Sequence, residues 1–319
     1  MKYTNVGGQA VIEGVMMKSE TKIAMCVNDP RGERQLVLKA YTAKSKINRF
    51  YALPIIRGCV NFFEMMVLGV AMLNCSAEIS FDEPEKNGGK SDTSSKMLSL
   101  AGALIGILAA VALFIILPAF IASFFRRVTS DPLLINLIEG VIRVCVFVLY
   151  LVAMNLSKDM RRMFMYHGAE HKVIACYEHG KDLNVANARK YSRLHPRCGT
   201  TFLFIVMIVS ILIFSLTVWS SNIIVRTGLK ILLLPIVAGV SYEALKFFAK
   251  RDDNKLCAAL EKPGISLQRL TTKEPDDSML EAAIVAFEAA ILSDKELSSW
   301  RESGFGLDYS LYSKKDSSV

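Results

Sequence analysis

Histidine is scarce in this sequence, four in 319 residues, so a short stretch that holds three of them needs a reason. Other absences narrow the field first. The opening fifty residues contain no uninterrupted apolar core of signal-peptide length, which argues against a cleaved secretory leader. There is no basic stripe interleaved with aromatics, so the net charge of +8 is not read as a nucleic-acid footprint. The seven cysteines, Cys26, Cys59, Cys75, Cys145, Cys176, Cys198 and Cys257, are scattered. Several lie in apolar runs, where a free thiol behaves as a small hydrophobe, and no disulfide framework is expected. No internal repeat is visible, which leaves a duplicated transporter with little support.

What the chain has in quantity is apolar length. Hydrophobic residues make up 52% of it and the mean hydropathy is +0.34, more apolar than an ordinary soluble domain. Residues 97–125, 133–156, 200–220 and 223–245 each run to about the 20 residues a helix needs to cross the hydrocarbon core. Pro118 is expected to kink the first without ending it. A fifth segment, 53–74, carries Arg57 and Glu64 and reads better as an interfacial or re-entrant helix. The expected class is therefore mainly α: a polytopic membrane protein of about four transmembrane helices with one further interfacial or re-entrant helix.

The remaining sequence divides around these spans. Residues 1–50 read as a small β-rich piece, because "KIAMCVN" and "RQLVLKAYTA" flank the turn chemistry of "DPRGE". Residues 51–80 hold the fifth helix and 81–96 a polar linker. Spans one and two fill 97–156, a polar segment 157–198, and spans three and four 199–246. A cytoplasmic helical region is expected over 247–295, with a helix from about Pro275, and a frayed tail over 296–319. Nine Lys and Arg fall within 157–198, against Arg126 and Arg127 between spans one and two. The longer loop outweighs the shorter, which places the polar segment and both termini in the cytoplasm, with the lipid bilayer as the chain's first partner.

The polar segment carries the chemistry. In "YHGAEHKVIACYEHG", residues 166–180, the absence of proline favours a helix continuing from span two, at some cost from Gly168. At 3.6 residues per turn His167 and His171 lie about 40° apart, and Glu178 about 20° from His167, so the three share a face. The order His-x-x-Glu-His is the inverzincin arrangement: two imidazoles bind Zn²⁺, Glu170 serves as general base, and the metal lowers the pKa of water in its open position towards ~7. "LHPRCGT" places His195 and Cys198 just before span three, near the same membrane surface. They are candidate third and fourth ligands, with Glu178 as a rival. Four protein ligands at once would make a closed structural site, and three an open one. The sequence leaves both open, together with the blander reading of interfacial histidines bonded to lipid phosphates. His179, before Gly180, reads as a helix C-terminal residue.

Two further groups stand out. Glu139 and Arg143 are i, i+4 inside span two and can neutralise each other in the bilayer, which makes them accessory candidates. In "LQRLTTKEPDD", Gln268, Thr271, Thr272 and Glu274 read as caps of the helix that follows.

Together "GGQAVIEGVMM", "YHGAEHKVIACYE", "HPRCGT", "SYEALKF" and "LQRLTTKEPDD" resemble the YqhQ-like family of bacterial membrane proteins, a family of unknown function that carries the label of predicted metal-dependent enzyme. The resemblance runs from the first residues to about residue 290. It implies a metal site drawn from His167, Glu170, His171, His195 and Cys198, with Gln9 and Glu13 joining if the N-terminal segment folds back over it. It implies no substrate. Two functions compete: a zinc-dependent hydrolase at the cytoplasmic membrane face, most simply a peptidase with a lipid substrate as the alternative, and a non-enzymatic scaffold with a structural His/Cys site. The sequence is silent on oligomeric state.

Overall fold

The computed structural model describes residues 6–43, 49–81, 93–195, 198–216, 222–249, 255–302 and 310–311. Near the N-terminus, β1 (Gly7–Val11) and β2 (Gly14–Lys18) form a hairpin through Ile12 and Glu13, and Glu13 takes a positive φ of 51° in that two-residue turn. Then β3 (Lys22–Asn28) and β4 (Arg34–Ala40) extend an antiparallel meander, and β5 (Ser310–Leu311) adds in parallel at its edge. The hairpin 7–18 is the part of the β region that sequence patterning did not anticipate.

Strand residues point to alternate faces, and both faces of this sheet are apolar. Val15, Met17, Ala24 and Cys26 pack against Tyr166, Ala169 and Val173 of α5 (Lys158–Glu178) and Leu280, Ile284 and Phe287 of α10 (Asp277–Ile291). Val11, Met16, Ile23, Met25 and Val27 pack against Met72 and Ile79 of α1 (Ile56–Ser80). The sheet is thus the middle of three layers, α5 and α10 above and α1 below. Fully burying a side chain such as Phe287 contributes about 1.5–3 kcal/mol.

The apolar helices follow. α2 (Thr93–Val111) passes through a π-helical turn, Ala112–Ile116, into α3 (Leu117–Phe124); then come α4 (Pro132–Met154), the short α6 (Val185–Ala188) after α5, α7 (Gly199–Ser215) and α8 (Ile223–Ala249). Pro118 has no N–H to give the Phe114 carbonyl four residues back. Arg143 Nε donates to that carbonyl instead, at 3.0 Å. Gly140 lets α4 approach α7 so closely that a Cβ there would meet Ile211 at 2.6 Å. The Glu139–Arg143 pair forms, at 2.7 Å, and Lys230 of α8 joins it as a third member that sequence reading missed.

Among the described residues, four helical stretches are long and apolar enough to cross a membrane: Ile56–Ser80, Leu104–Arg127, Pro132–Met154 and Ile224–Phe247. The chain is a membrane protein of mainly α class. Membership of the four differs from expectation, since Ile56–Ser80 qualifies despite Arg57 and Glu64, while the span expected at 200–220 is described only as a shorter apolar helix. Contacts divide α1 in two. Gly58 abuts Gly239 and the Cys59 thiol donates to the Pro235 carbonyl at mid-α8, whereas Ser80 Oγ donates to the Ile12 carbonyl beneath the sheet.

Three local expectations are corrected. The helix bearing the histidines does not continue from span two: α4 ends at Met154, Asn155 turns its amide onto the Leu151 and Leu270 carbonyls, and extended Ser157 starts α5 afresh. The expected frayed tail from 296 begins as helix, α11 (Asp294–Glu302), with Leu297 buried. The residues that read as caps do not cap α10. Asp276 does, accepting from the Met279 amide at 2.9 Å. Of the expected linker 81–96, residues 82–92 lie outside the described residues.

Candidate metal centre

The site forms where the three-layer body meets the membrane helices. α5 presents His167, Glu170 and His171, and Cys198 sits directly before α7. Gly168 earns its place on this helix: its bare face admits the backbone of Lys273, whose amide donates to the Phe164 carbonyl at 2.7 Å, and a Cβ would collide with the Lys273 carbonyl. That contact brings the end of α9 (Lys255–Thr271) against His167.

His167 Nδ1–H donates to the Thr271 carbonyl at 2.8 Å, and His171 Nδ1–H to the Arg193 carbonyl at 2.6 Å. Both rings are thereby held in the tautomer that leaves Nε2 free as a ligand, the arrangement a metal-binding histidine needs. His167 Nε2 lies 3.1 Å from Cys198 Sγ. His171 Nε2 is buried and faces Cys198, with no other hydrogen-bonding partner. The donor atoms of His167, His171 and Cys198 all lie within 4.8 Å of one another. Zn–N near 2.0 Å and Zn–S near 2.3 Å put N and S about 3.5 Å apart at a tetrahedral ion, so the pair needs only to open slightly. Two imidazoles and a thiolate are a donor set that suits zinc, and the three residues form a candidate metal site.

His195 is not among the converging donors. Its ring centroid is 5.9 Å from that of His171, and its Nε2 faces the buried Glu178 carboxylate at 3.2 Å. Gln268, fully buried, takes both backbone groups of His195: its Oε1 accepts from the amide at 2.8 Å and its Nε2 donates to the carbonyl at 2.7 Å. Thr272 is also buried and accepts from Arg193 through its hydroxyl at 2.8 Å. Buried Lys172 donates to the Arg189 and Tyr191 carbonyls and pairs with Glu274 at 2.9 Å, fixing the loop that carries Arg193. Gln268, Thr271, Thr272, Arg193 and Lys172 are the site residues sequence reasoning missed. The signal was present in "LQRLTT", a polar run ending an amphipathic helix, but it was read as capping.

Glu170 is buried beneath β1. The Gly8 amide donates to its carboxylate, and a Cβ at Gly8 would stand 2.7 Å from the carboxyl carbon. Its Oε2 is buried without a partner. Burial pushes the carboxyl above its ordinary value, although His167, His195 and the Gly8 amide pull the other way. Burial likewise pushes His171 below the ordinary imidazole value.

The N-terminal segment does fold over this region, and its two polar residues go to different places. Gln9 points to the opposite face of β1, its amide filling the notch left by Gly69 of α1. Glu13 pairs with Arg162 and accepts from Tyr166 at 3.2 Å, one turn from the histidines. Glu139 and Arg143 lie elsewhere: Glu139 is 15 residues, about 22 Å of helix rise, from the end of α4 nearest the site.

Comparison with known proteins adds family but no activity. The profile of a family described as "Protein of unknown function (DUF1385)" matches residues 53–293. The uncharacterized protein YqhQ of Bacillus subtilis (strain 168) is 34% identical over 290 residues, covering 88% of this chain and 90% of the relative. No solved structure matches.

Proposed function

Since the chain belongs to the DUF1385 family, as its motifs led one to expect, and that family brings no activity with it, we propose from site chemistry that the protein is a zinc-dependent hydrolase working at the membrane surface. The observation that carries the reading is the convergence of three donors, His167, His171 and Cys198, while His195 is engaged by Glu178. Three protein ligands leave one position open, as catalytic zinc sites do. When bound, zinc supplies Lewis acidity and makes water in that position acidic, with a pKa near ~7. Glu170, buried with one bare oxygen and with its carboxyl pushed above the ordinary value by burial, is as a carboxylate a stronger base than usual, suited to take a proton and return it to a leaving group. The His195–Glu178 pair stands beside the donors as a second polar contact for a substrate.

The test is elemental mass spectrometry of the detergent-purified protein, followed by a hydrolase screen with wild type and Glu170→Gln. About one zinc per chain, retained in Glu170→Gln while turnover is lost, is the expected result. Metal-free, well-folded wild type would sink the proposal.

A structural role for the same metal has one observation in its favour. The Thr271 and Arg193 carbonyls that fix the imidazoles also tie two loops to α5. If the site is purely structural, Glu170→Gln leaves every cellular function intact. The basic residues of 157–198 support placing the site on the cytoplasmic side.

A further inference from the structure

A cavity of about 510 Å³ opens beside this site, between α1, the first turns of α7 and the last turns of α8. Its walls include Asn61, Val70 and Leu73 of α1, Phe202 of α7, Tyr242 of α8 and Gln9 of β1. They are overwhelmingly apolar. Polar groups are few: Asn61 Nδ2 donates to the Tyr242 hydroxyl at 3.0 Å, and the Gln9 amide lies against Gly69.

Position gives the cavity its meaning. Phe202 is four residues beyond Cys198, about 6 Å of helix rise. Gln9 follows Gly8, the residue packed on Glu170. The cavity therefore approaches the candidate metal centre through Phe202, at the same end of the membrane helices, and Gln9 reaches it from the face of edge strand β1 opposite Glu170. On its other side it is continuous with the outer face of α1, where Phe63, Val67 and Val70 are 52–71% exposed on a helix apolar enough for the bilayer. What reaches this cavity most directly is lipid.

Size selects among apolar occupants. One turn of α-helix with side chains, about 10 Å across and 5.4 Å high, fills on the order of 400 Å³. The cavity would hold roughly one such turn, too little for a substrate helix, whereas an extended acyl chain is narrower and enters lengthwise. Pockets of this volume suit small ligands. Resting on the hydrolase reading above, we infer that the cavity is the acyl-chain subsite of that site and that the substrate is a membrane lipid or similar single-chain amphiphile whose polar head reaches His167, His171 and Cys198.

The full-length zinc-loaded protein, in nanodiscs of phosphatidylethanolamine and phosphatidylglycerol, is irradiated with trace phospholipid bearing a diazirine either within the acyl chain or on the head group. Adducts are mapped by peptide mass spectrometry. The acyl probe is expected to label α1 between Asn61 and Leu73 several-fold above the equally exposed apolar face around Leu104, Ile105, Ile107 and Leu108. The head-group probe is expected to label His167–His171 or Cys198–Phe202. Val70→Trp, at a half-exposed position that tolerates bulk, lowers labelling of α1 and spares the Leu104–Leu108 face. Labelling of α1 no stronger than that of residues 104–108 means ordinary boundary lipid and overturns the inference. So does a head-group probe that never reaches the site, or displacement of the acyl probe by an apolar peptide but not by unlabelled lipid. The two readings fail separately: zinc bound with uniform labelling removes the subsite alone, while selective acyl labelling of a metal-free wild type removes the hydrolase and leaves a lipid site.

Discussion

Four side chains decide what the centre can do. Removing a metal ligand costs the metal: His167→Ala, His171→Ala and Cys198→Ser should each reduce bound zinc from about one per chain to near none, whereas His195→Ala should keep most of it. Elemental analysis of the four variants in parallel reads this directly, and equal loss in His195→Ala would mean a fourth ligand and a closed site. Protonation gives an independent handle on the chelated protein. Burial holds His171 below the ordinary value of 6.5, so as pH falls through that value the unfolded chain takes up a proton before the folded one does. Stability is then lost from about pH 6.5 down to the lowered folded value. Glu170 has the opposite sign. Its raised value means the unfolded chain releases a proton first as pH rises above 4.5, so the fold weakens from there up to the raised value. Because the two slopes oppose each other, the check is the difference: between pH 5 and 7.5 the melting temperature of wild type minus that of His171→Gln should fall as the pH falls. The histidine pair was legible because i, i+4 spacing is local. The groups that orient it were not: Thr271 is 104 residues from His167, and nothing in a single sequence marks a carbonyl as an imidazole's partner.

Elements hold the centre through contacts that tolerate little change. Gln268, at the end of α9, is the sole side chain bonded to both backbone groups of His195 among the described residues. Gln268→Leu keeps its volume and strands the buried His195 amide, at about 1–3 kcal/mol, while the His195 carbonyl keeps the Cys198 amide as a donor. The expected result is a lower melting temperature and a weakened response to zinc. Gly168→Ala acts on the other side of the same loop. Its Cβ has no room beside the Lys273 carbonyl, so the loop must retreat and Thr271 with it. Deeper in the membrane helices, Glu139 accepts from both Arg143 and Lys230. Glu139→Leu leaves two buried cations and should cost about 3–5 kcal/mol, of which the further change Lys230→Leu recovers part. Thermal unfolding in one detergent, single against double variant, measures that coupling. Strands β3 and β4 were legible from composition and turn chemistry. The hairpin before them was not, because Gly7, Gly8 and Gly14 dilute its alternation. Those glycines are required by close packing instead: a Cβ at Gly14 has no space beside the Cys26 carbonyl, and one at Gly8 would displace Glu170.

At the scale of the whole chain the open matter is which segments carry it across the membrane. The sheet, α5 and α10 form one packed body, so the N-terminal strands and the helix before the C-terminal tail lie on the same side of the bilayer whatever that side is. Length and apolarity let α1 cross, yet its C-terminal half is bonded to the β1–β2 hairpin through Ser76 and Ser80, while its N-terminal end meets the middle of α8. A helix that begins at mid-membrane depth and ends under the sheet returns the chain to the side it came from. We therefore expect α1 to be re-entrant, with its C-terminal end at Ser80 on the same side as the site and the connector 128–131 opposite. From the basic residues over 157–198 we expect the shared side to be the cytoplasm. Alkaline phosphatase fused within 82–92 or after 302 should be inactive and a fluorescent protein there bright, with the reverse at the connector. Phosphatase activity within 82–92 alone would make α1 a true crossing. It would also separate the linker from the metal centre and require lipid to enter the cavity from a different leaflet.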